Sequence, residues 1–353
     1  MMTALTSQWH QRLPDSAHTL LDQLARLYGC DYRPAMVGAR LHSQEACCLV
    51  IERDKRVVGL VVAHLIRTSS QSASAALRAV TRGSGAAEID DALNGSSGSV
   101  LVVRNAQESR VMVDPALSDA DERRILAHAI DSIVERAREF GARRACLTKV
   151  GSDQRALTSH LIDARWARYE SGGSAHVDLR CLRTFDDYLS TLPAARRREV
   201  LREIRVFEKA GLHLMSGPVD DAVLREVASL EANHHERYET GWDADRILTR
   251  RREWSAALGD SLQLLSCMRD DRRVGSLLYV REQERWEARS VGFDYPAVDR
   301  TFAYFNMVFY WMIRAALEAR AQTVDFGHDA LQAKVARGAR VIPSSMFVSA
   351  VIR

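Results

Sequence analysis

Apolar side chains recur along this chain with two periods, and the changes of period mark out its elements. Leu20, Leu21, Leu24 and Leu27 share one face of a 3.6-residue repeat, which predicts a helix over 18–28 with Asp15 or Ser16 as its cap. Residues 47–53 and 57–66 are rich in β-branched and apolar residues and flank Asp54-Lys55, the pattern of a hairpin. Residues 68–99 carry Ser, Ala and Gly with few large apolar side chains, and read as a loop or insertion with a short helix near 88–93. Strands are predicted at 100–104, 110–113, 145–150 and 175–179. Helices are predicted at 120–140, capped by Ser118 and stopped by Gly141, and at 154–165.

A second series begins at Cys181. Thr184 caps a short helix, Pro193 opens a basic helix over 194–210, and a short strand follows at 212–215. Helices at 220–238 and 243–258 lead into three strands, 261–268, 274–281 and 284–293, joined by polar turns as an antiparallel meander. After a turn at Asp294-Tyr295-Pro296 come an apolar-aromatic helix (301–320), a strand (323–326), a basic helix ending at Gly338 and a last strand (346–352). A helix crossing between two strands predicts that they run parallel, and ligands of such sheets bind beyond the strands' carboxyl ends. Those ends carry Asp294, Tyr295, Asp325 and His328. The two halves repeat one order of elements without a residue-level repeat, which predicts two like domains, 1–180 and 181–353.

Composition narrows the function classes. A hydrophobic share of 46% and a charged share of 27% are those of a soluble globular protein. The net charge of +3 does not by itself indicate nucleic-acid binding, so DNA is not expected as a partner. Six cysteines without CxxC or Cys–His spacing predict no metal and a reducing compartment. No uncharged apolar run reaches the length of a membrane span, and residues 1–16 lack signal-peptide character, so the expected location is cytoplasmic.

The stretches 184–211, 301–327 (ending Asp325-Phe326-Gly327) and 331–338 (with Lys334-x-x-Arg337-Gly338) resemble, in order, the second half of FemAB-like aminoacyltransferases and peptidoglycan-biosynthesis acetyltransferases. These are a branch of the GNAT acyltransferases. The resemblance implies an α/β architecture of two tandem GNAT-like domains, each a mixed, mostly antiparallel sheet flanked by helices. The first domain would be degenerate and the second catalytic. It implies an N-acyl or aminoacyl transferase that moves an activated acyl group from acyl-CoA or an aminoacyl-tRNA to an amine of a small molecule or cell-wall precursor. No tightly bound cofactor is implied. The alternative is a non-catalytic GNAT-fold module that binds a ligand or partner. Coenzyme-A-dependent members carry a glycine loop before the long helix, whose amides cradle the pyrophosphate. Here Asp119, Asp121 and Glu122 stand in its place in the first half, and residues 293–306 lack it in the second. Donors other than acetyl-CoA gain weight accordingly.

Against this background each candidate has a bland reading and a functional one. His328 titrates near neutrality and suits a base or relay, with Asp325 orienting it or capping the next helix. Glu231 and His234, at i and i+3, form an alternative catalytic pair or a helix C-terminus that favours imidazolium. Tyr295, Tyr304, Asn306 and Tyr238 are candidate substrate contacts, although the helix holding Tyr304 and Asn306 is apolar all round and reads as core. Lys334 and Arg337 face one side of a helix as a donor-phosphate site or a solvated pair. Arg197 and Arg198, in the basic run from Arg196 to Lys209, form a phosphate-binding ridge or pair with Glu199, Glu203 and Glu208.

Overall fold

A computed structural model describes residues 4–41, 46–67, 99–104, 108–237, 242–350 and 352. The helix predicted near 88–93 and the candidate Tyr238 lie outside these residues. The chain forms two compact units, one of Met1–Gly173 with Ile342–Arg353, the other of Ser174–Val341. The expected division at 180/181 differs in two places. The change of unit falls earlier, inside a strand, and the C-terminal strand belongs with the first unit.

In the first unit β1 (Thr6–His10) leads to α1 (His18–Tyr28), α2 (Pro34–Arg40) and the hairpin β2 (Ala46–Arg53) and β3 (Arg56–Arg67). Asp54 and Lys55 both take positive φ, as the twist of a two-residue hairpin demands. A short helical turn, Asp15–Ala17, precedes α1, so neither Asp15 nor Ser16 caps it by side chain. Next come β4 (Ser99–Val103), β5 (Met112–Val113), α3 (Asp119–Glu139), β6 (Ala142–Gly151), α4 (Arg155–Asp163) and β7 (Ala167–Asp178), which begins in this unit. The sheet order is β1-β2-β3-β4-β6, then the C-terminal strand, then β7, with β5 on β3. Both faces of the sheet are buried, which explains the unbroken apolar runs of β2 and β3. Leu49, Ile51, Val61 and Leu101 pack with Ile125, Ile130 and Ile133 of α3 on one face. Cys48, Val50, Leu60 and Val62 pack with α1 and α2 on the other.

In the second unit α5 (Phe185–Thr191) starts from a capping box between Thr184 and Asp187. Then come α6 (Ala194–Lys209), β8 (Leu212–Gly217), α7 (Asp221–Arg237), α8 (Ala244–Leu258), β9 (Leu262–Arg269), β10 (Arg272–Arg281) and β11 (Arg285–Phe293). The one-turn α9 (Tyr295–Val298) precedes α10, a helical run over 303–318 whose middle, Asn306–Trp311, is π-helical. After it come β12 (Thr323–Asp325), α11 (Leu331–Val335) and β13 (Arg340–Val348), whose residues from Ile342 onward belong to the first unit. The sheet order is β8-β9-β10-β11-β12-β7, with the meander antiparallel and β11 parallel to β12. Trp286, Val324 and Val177, level with one another on neighbouring strands, turn into the apolar core with α10. By the two-residue period of strands, Arg285, Glu287, Asp325 and His176 line the opposite face. There α7 lies directly on β11. A Cβ added at Gly292 would sit 2.3 Å from the Glu231 amide nitrogen, so the helix approaches only because that side chain is absent. Each unit is therefore a mixed sheet flanked by helices, mostly antiparallel and with one parallel crossover pair.

Candidate active site

The parallel pair of the second unit does not stay together. Pairing of β11 with β12 runs from Arg285↔Thr323 to Glu287↔Asp325 and stops, while β11 continues to Phe293. Beyond Asp325 the chain follows β7 instead: Phe326 N–H donates to Ala175 O (2.9 Å), and Ala175 N–H to Gly327 O (3.0 Å). The strands thus part, and the edge of β11 beyond Glu287 faces an opening. In the pairing of β11 with β10, Leu278 meets Ser290 and Tyr279 meets Ala288, which leaves Arg289 as a bulge at the opening.

The floor of the opening is charged. Asp325 is buried; it accepts from Arg285 Nη2 at 2.6 Å and the Gly327 amide at 2.8 Å, and lies 3.6 Å from His176 Nδ1. Burial alone would raise its pKa, but His176, Arg285 and the Gly327 N–H more than reverse this, so the carboxyl is held below its usual range. Its oxygens are engaged by these donors, an arrangement suited to orienting a group. It does not cap the following helix, which starts at Leu331. Arg285 Nε also lies 3.0 Å from a Glu287 oxygen as an ion pair, and the 2%-exposed side chain of Arg289 lies 3.4 Å from the other Glu287 oxygen. Arg289 and Arg251 both lie over the Trp254 ring, at 5.1 and 3.9 Å from its centroid. Arg251 grips Glu231 with two nitrogens, Nε at 2.9 Å. Charged side chains therefore run from Glu231 on α7 to Arg251 on α8, across the Trp254 ring that Arg251 and Arg289 share, and on through Arg289, Glu287 and Arg285 of β11 to Asp325 and His176.

This placement ties Glu231 to Arg251. Burial would raise its pKa, but Arg251 and His235 dominate and hold it at about 2. His234, half-buried one turn on, differs. Its Nδ1 lies 2.7 Å from the Tyr295 hydroxyl, just past the end of β11. Burial and the neighbouring His235 lower its pKa, which favours the uncharged imidazole. His328 lies on the β12 side with both ring nitrogens shielded from solvent, close enough to Asp325 to influence its charge.

Other candidates find protein partners. Lys334 is 3% exposed and donates to Phe326 O. Arg337 is buried, bonds Glu203 at 2.6 Å and Tyr310 Oη at 2.9 Å, and lies over the Phe305 ring. Both charges, expected from the sequence at a donor phosphate or in solvent, are engaged by protein groups. Glu203 is turned inward because Arg337 and Tyr310 meet it in the core. Asn306 spends its amide on two backbone oxygens, Phe302 O (3.0 Å) and Glu203 O (3.3 Å), so it needs no substrate carbonyl. Tyr304 packs edge-on against Phe305 and Phe309.

The inward turn of Glu203 alters α6. Arg196 pairs with Glu199 at 2.5 Å. Arg197 is half-buried, 3.4 Å from Leu192 O. Arg198, Arg202, Arg205 and Lys209, at i, i+4, i+7 and i+11, form an exposed stripe roughly 16 Å long. Among the described residues none of the four makes an ion pair. Arg202 lies over the Phe302 ring (5.1 Å), at the start of α10.

Sequence reasoning missed His176, Arg285, Glu287 and Arg289. Three of them were legible, because charges at i, i+2 and i+4 of a strand that must also bury Trp286 mark a polar face. His176 becomes part of the site only through antiparallel pairing of β7 with β12. No cluster of three or more His, Cys, Asp or Glu suited to a metal occurs among the described residues. None of their helices is long and apolar enough to cross a membrane.

In sequence, residues 105–349 match the FemAB-like family, described as peptidoglycan biosynthesis/recognition. No curated protein sequence matches the chain. Solved structures of the same fold include a conserved protein of unknown function from Bacteroides thetaiotaomicron, 11% identical with a TM-score of 0.60 over 100% of both chains. FemX is 12% identical with a TM-score of 0.58 over 96% of both. A tandem GNAT protein from the clavulanic acid biosynthesis pathway, solved without AcCoA, is 13% identical with a TM-score of 0.55 over 98% of both. At these identities the likeness is one of fold, two GNAT-like domains in one chain.

Proposed function

We infer, from the premise that the chain belongs to the FemAB-like family, that it is an N-acyltransferase working in the opening between β11 and β12. The observation carrying this reading is the parting of that parallel pair beyond Glu287 and Asp325, over a charged floor. A planar activated acyl group laid along β11 beyond its last rung with β12 would meet an amine approaching from the β12 side. Direct attack needs positioning, loss of a proton from the ammonium and stabilisation of the developing oxyanion. It needs no protein nucleophile.

The donor reading favours an aminoacyl-tRNA over acyl-CoA. Where a pyrophosphate cradle would stand, the Asp294 carboxylate accepts the Ala297 amide to start α9 and pairs with Arg272. An anion there repels a diphosphate. The cation stripe of α6, whose Arg202 reaches the start of α10, suits a longer polyanion. The acceptor is an amine of a cell-wall precursor, in line with the family's description, and the reaction would take place in the cytoplasm. The test offers the purified protein amine-bearing cell-wall precursor peptides together with acetyl-CoA, longer acyl-CoA or charged tRNA, and follows product mass. Aminoacyl-tRNA-dependent addition is the expected result. Addition from acyl-CoA alone would reassign the donor, and no addition with any donor would favour a binding module.

A further inference from the structure

We propose that His234 and Tyr295 act as one proton-transfer pair for the acyl transfer, His234 as the base and Tyr295 as the group that meets the amine. This rests on the reading of the opening as an acyl-transfer site. The pair is built from two elements that are fixed to each other. The last turn of α7 is tied to the end of β11 by Asn233 Nδ2, which donates to Phe293 O at 3.1 Å. Tyr295 follows at once, its ring nearly parallel to that of His234 (20° between planes, centroids 6.5 Å apart) with Oη 2.7 Å from Nδ1. Arg237, one turn on along α7, lies over the other part of this cluster, its guanidinium 4.5 Å from the Tyr295 ring centroid. That cation–π contact helps to hold the ring in place.

The charged groups around His234 come from both sides of the opening. From α7 they are His235, Glu231 and Arg237, and from the segment after β12, Asp329. Burial and His235 outweigh Glu231 and Asp329 and lower the pKa of the imidazole. A neutral imidazole on a tyrosine hydroxyl at the mouth of the opening is a ready base, whereas His328 has shielded nitrogens and Asp325 a committed carboxylate.

The step balances as follows. Tyr295 Oη takes one proton from the substrate ammonium as its own proton passes to His234 Nδ1. The amine nitrogen attacks the acyl carbon and forms the C–N bond, and the C–O or C–S bond to the donor breaks. The proton held by the pair passes to the leaving oxygen or sulfur. The second proton on the new amide nitrogen leaves by the same pair to water.

The experiment compares His234→Ala, Tyr295→Phe and His328→Ala in kcat and its pH profile, and follows the His234 ring by NMR titration. His234→Ala is expected to lower kcat by about 10²–10⁴-fold, the range of a lost general base, with partial recovery in added imidazole. Tyr295→Phe should lower kcat, shift the acidic limb of the profile and move the His234 titration. His328→Ala should leave the acidic limb in place. Full activity of His234→Ala, or an acidic limb lost only in His328→Ala, overturns the pair while leaving the acyltransferase reading intact. If the wild type acylates nothing, that reading fails, and a His234 titration unmoved by Tyr295→Phe then overturns the pair as well.

Discussion

The two units carry the same parallel strand pair and finish it in opposite ways. In the first, β4 and β6 are in register to Val103↔Leu147, and Ser109 then bridges them. Its amide donates to Thr148 O at 2.9 Å, and its hydroxyl accepts the Thr148 amide at 2.6 Å and donates to Val103 O. Gln154 closes the set on Ser109 O at 3.1 Å. All of this is buried and neutral. In the second unit the chain after β12 turns to β7, the described residues hold no equivalent bridge back to β11, and the surface between them is built of buried ion pairs. One fold thus leaves its parallel pair parted in one unit, and closes it in the other where one serine supplies the missing bonds. The difference teaches that the competence of such a pair resides in the few residues after its last rung rather than in its strands.

The largest effect on this contrast should come from breaking the charge chain of the second unit. Arg251→Ala leaves Glu231 buried without its guanidinium, and the expected loss is about 3–5 kcal/mol in that unit's unfolding, read by denaturant melts. The pH dependence has a definite sign. The Glu231 pKa is about 2 in the fold against 4.5 in the unfolded chain, so its contribution is complete above about 4.5 and is lost as pH falls towards about 2. Acid titration should therefore unfold the wild-type second unit through that window, and Glu231→Gln should abolish this component. An unchanged acid transition in Glu231→Gln would mean that the pair does not carry the stability assigned to it.

Removing the bridge of the first unit should cost less. Ser109→Ala leaves the buried Thr148 amide and Val103 carbonyl short of a partner, for about 1–3 kcal/mol. Acyl transfer should persist below the new melting point. Lost turnover with both units folded would place chemistry in the first unit and dissolve the contrast.

A smaller effect is expected on α6. Replacing Arg198, Arg202 and Arg205 by serine removes exposed charge and little packing. Donor affinity for charged tRNA should weaken, and the slope of log K against log salt should flatten by about 0.7 for each phosphate that an arginine no longer neutralises. Acylation from a short model ester should not change. A salt slope equal to that of the wild type would leave the stripe as solvated surface.

How much of this was legible before folding follows from where each signal resides. The meander, the crossover and the Ser118 and Thr184 caps are local patterns, and they appear where they were expected. The charged row of β11 was written in its alternation. Three things were not legible. Ser109 becomes a bridge only because Thr148, 39 residues on, lies opposite it. Glu203, Arg337 and Tyr310 read as surface and core residues separately, and only tertiary packing joins them. The C-terminal strand pairs with β6, with Phe347 opposite Leu147, a choice of partner to which strand periodicity is blind.

The smallest effect concerns the acidic start of α3, the first reason for setting the first unit apart. Asp119, Asp121 and Glu122 occupy the first turn of that helix. The Ser118 hydroxyl accepts the Asp121 amide at 3.2 Å and lies 3.0 Å from Asp121 Oδ2, and Arg53 pairs with the same carboxylate at 2.8 Å. Arg53 and Ser118 hold the Asp121 carboxyl below its usual range, so these residues act as an N-terminal cap and dipole partner. They lie on the surface, where such contributions are screened by water and salt. Replacing all three by serine should therefore lower the first unit's melting temperature slightly, lower it less at high salt, and leave turnover unchanged. The strands beyond that loop remain bridged by Ser109, so removing the acids alone should not create affinity for a coenzyme A diphosphate. Calorimetry on the triple variant checks this. Diphosphate binding there would mean that repulsion by the carboxylates, rather than the serine bridge, had kept the first unit empty.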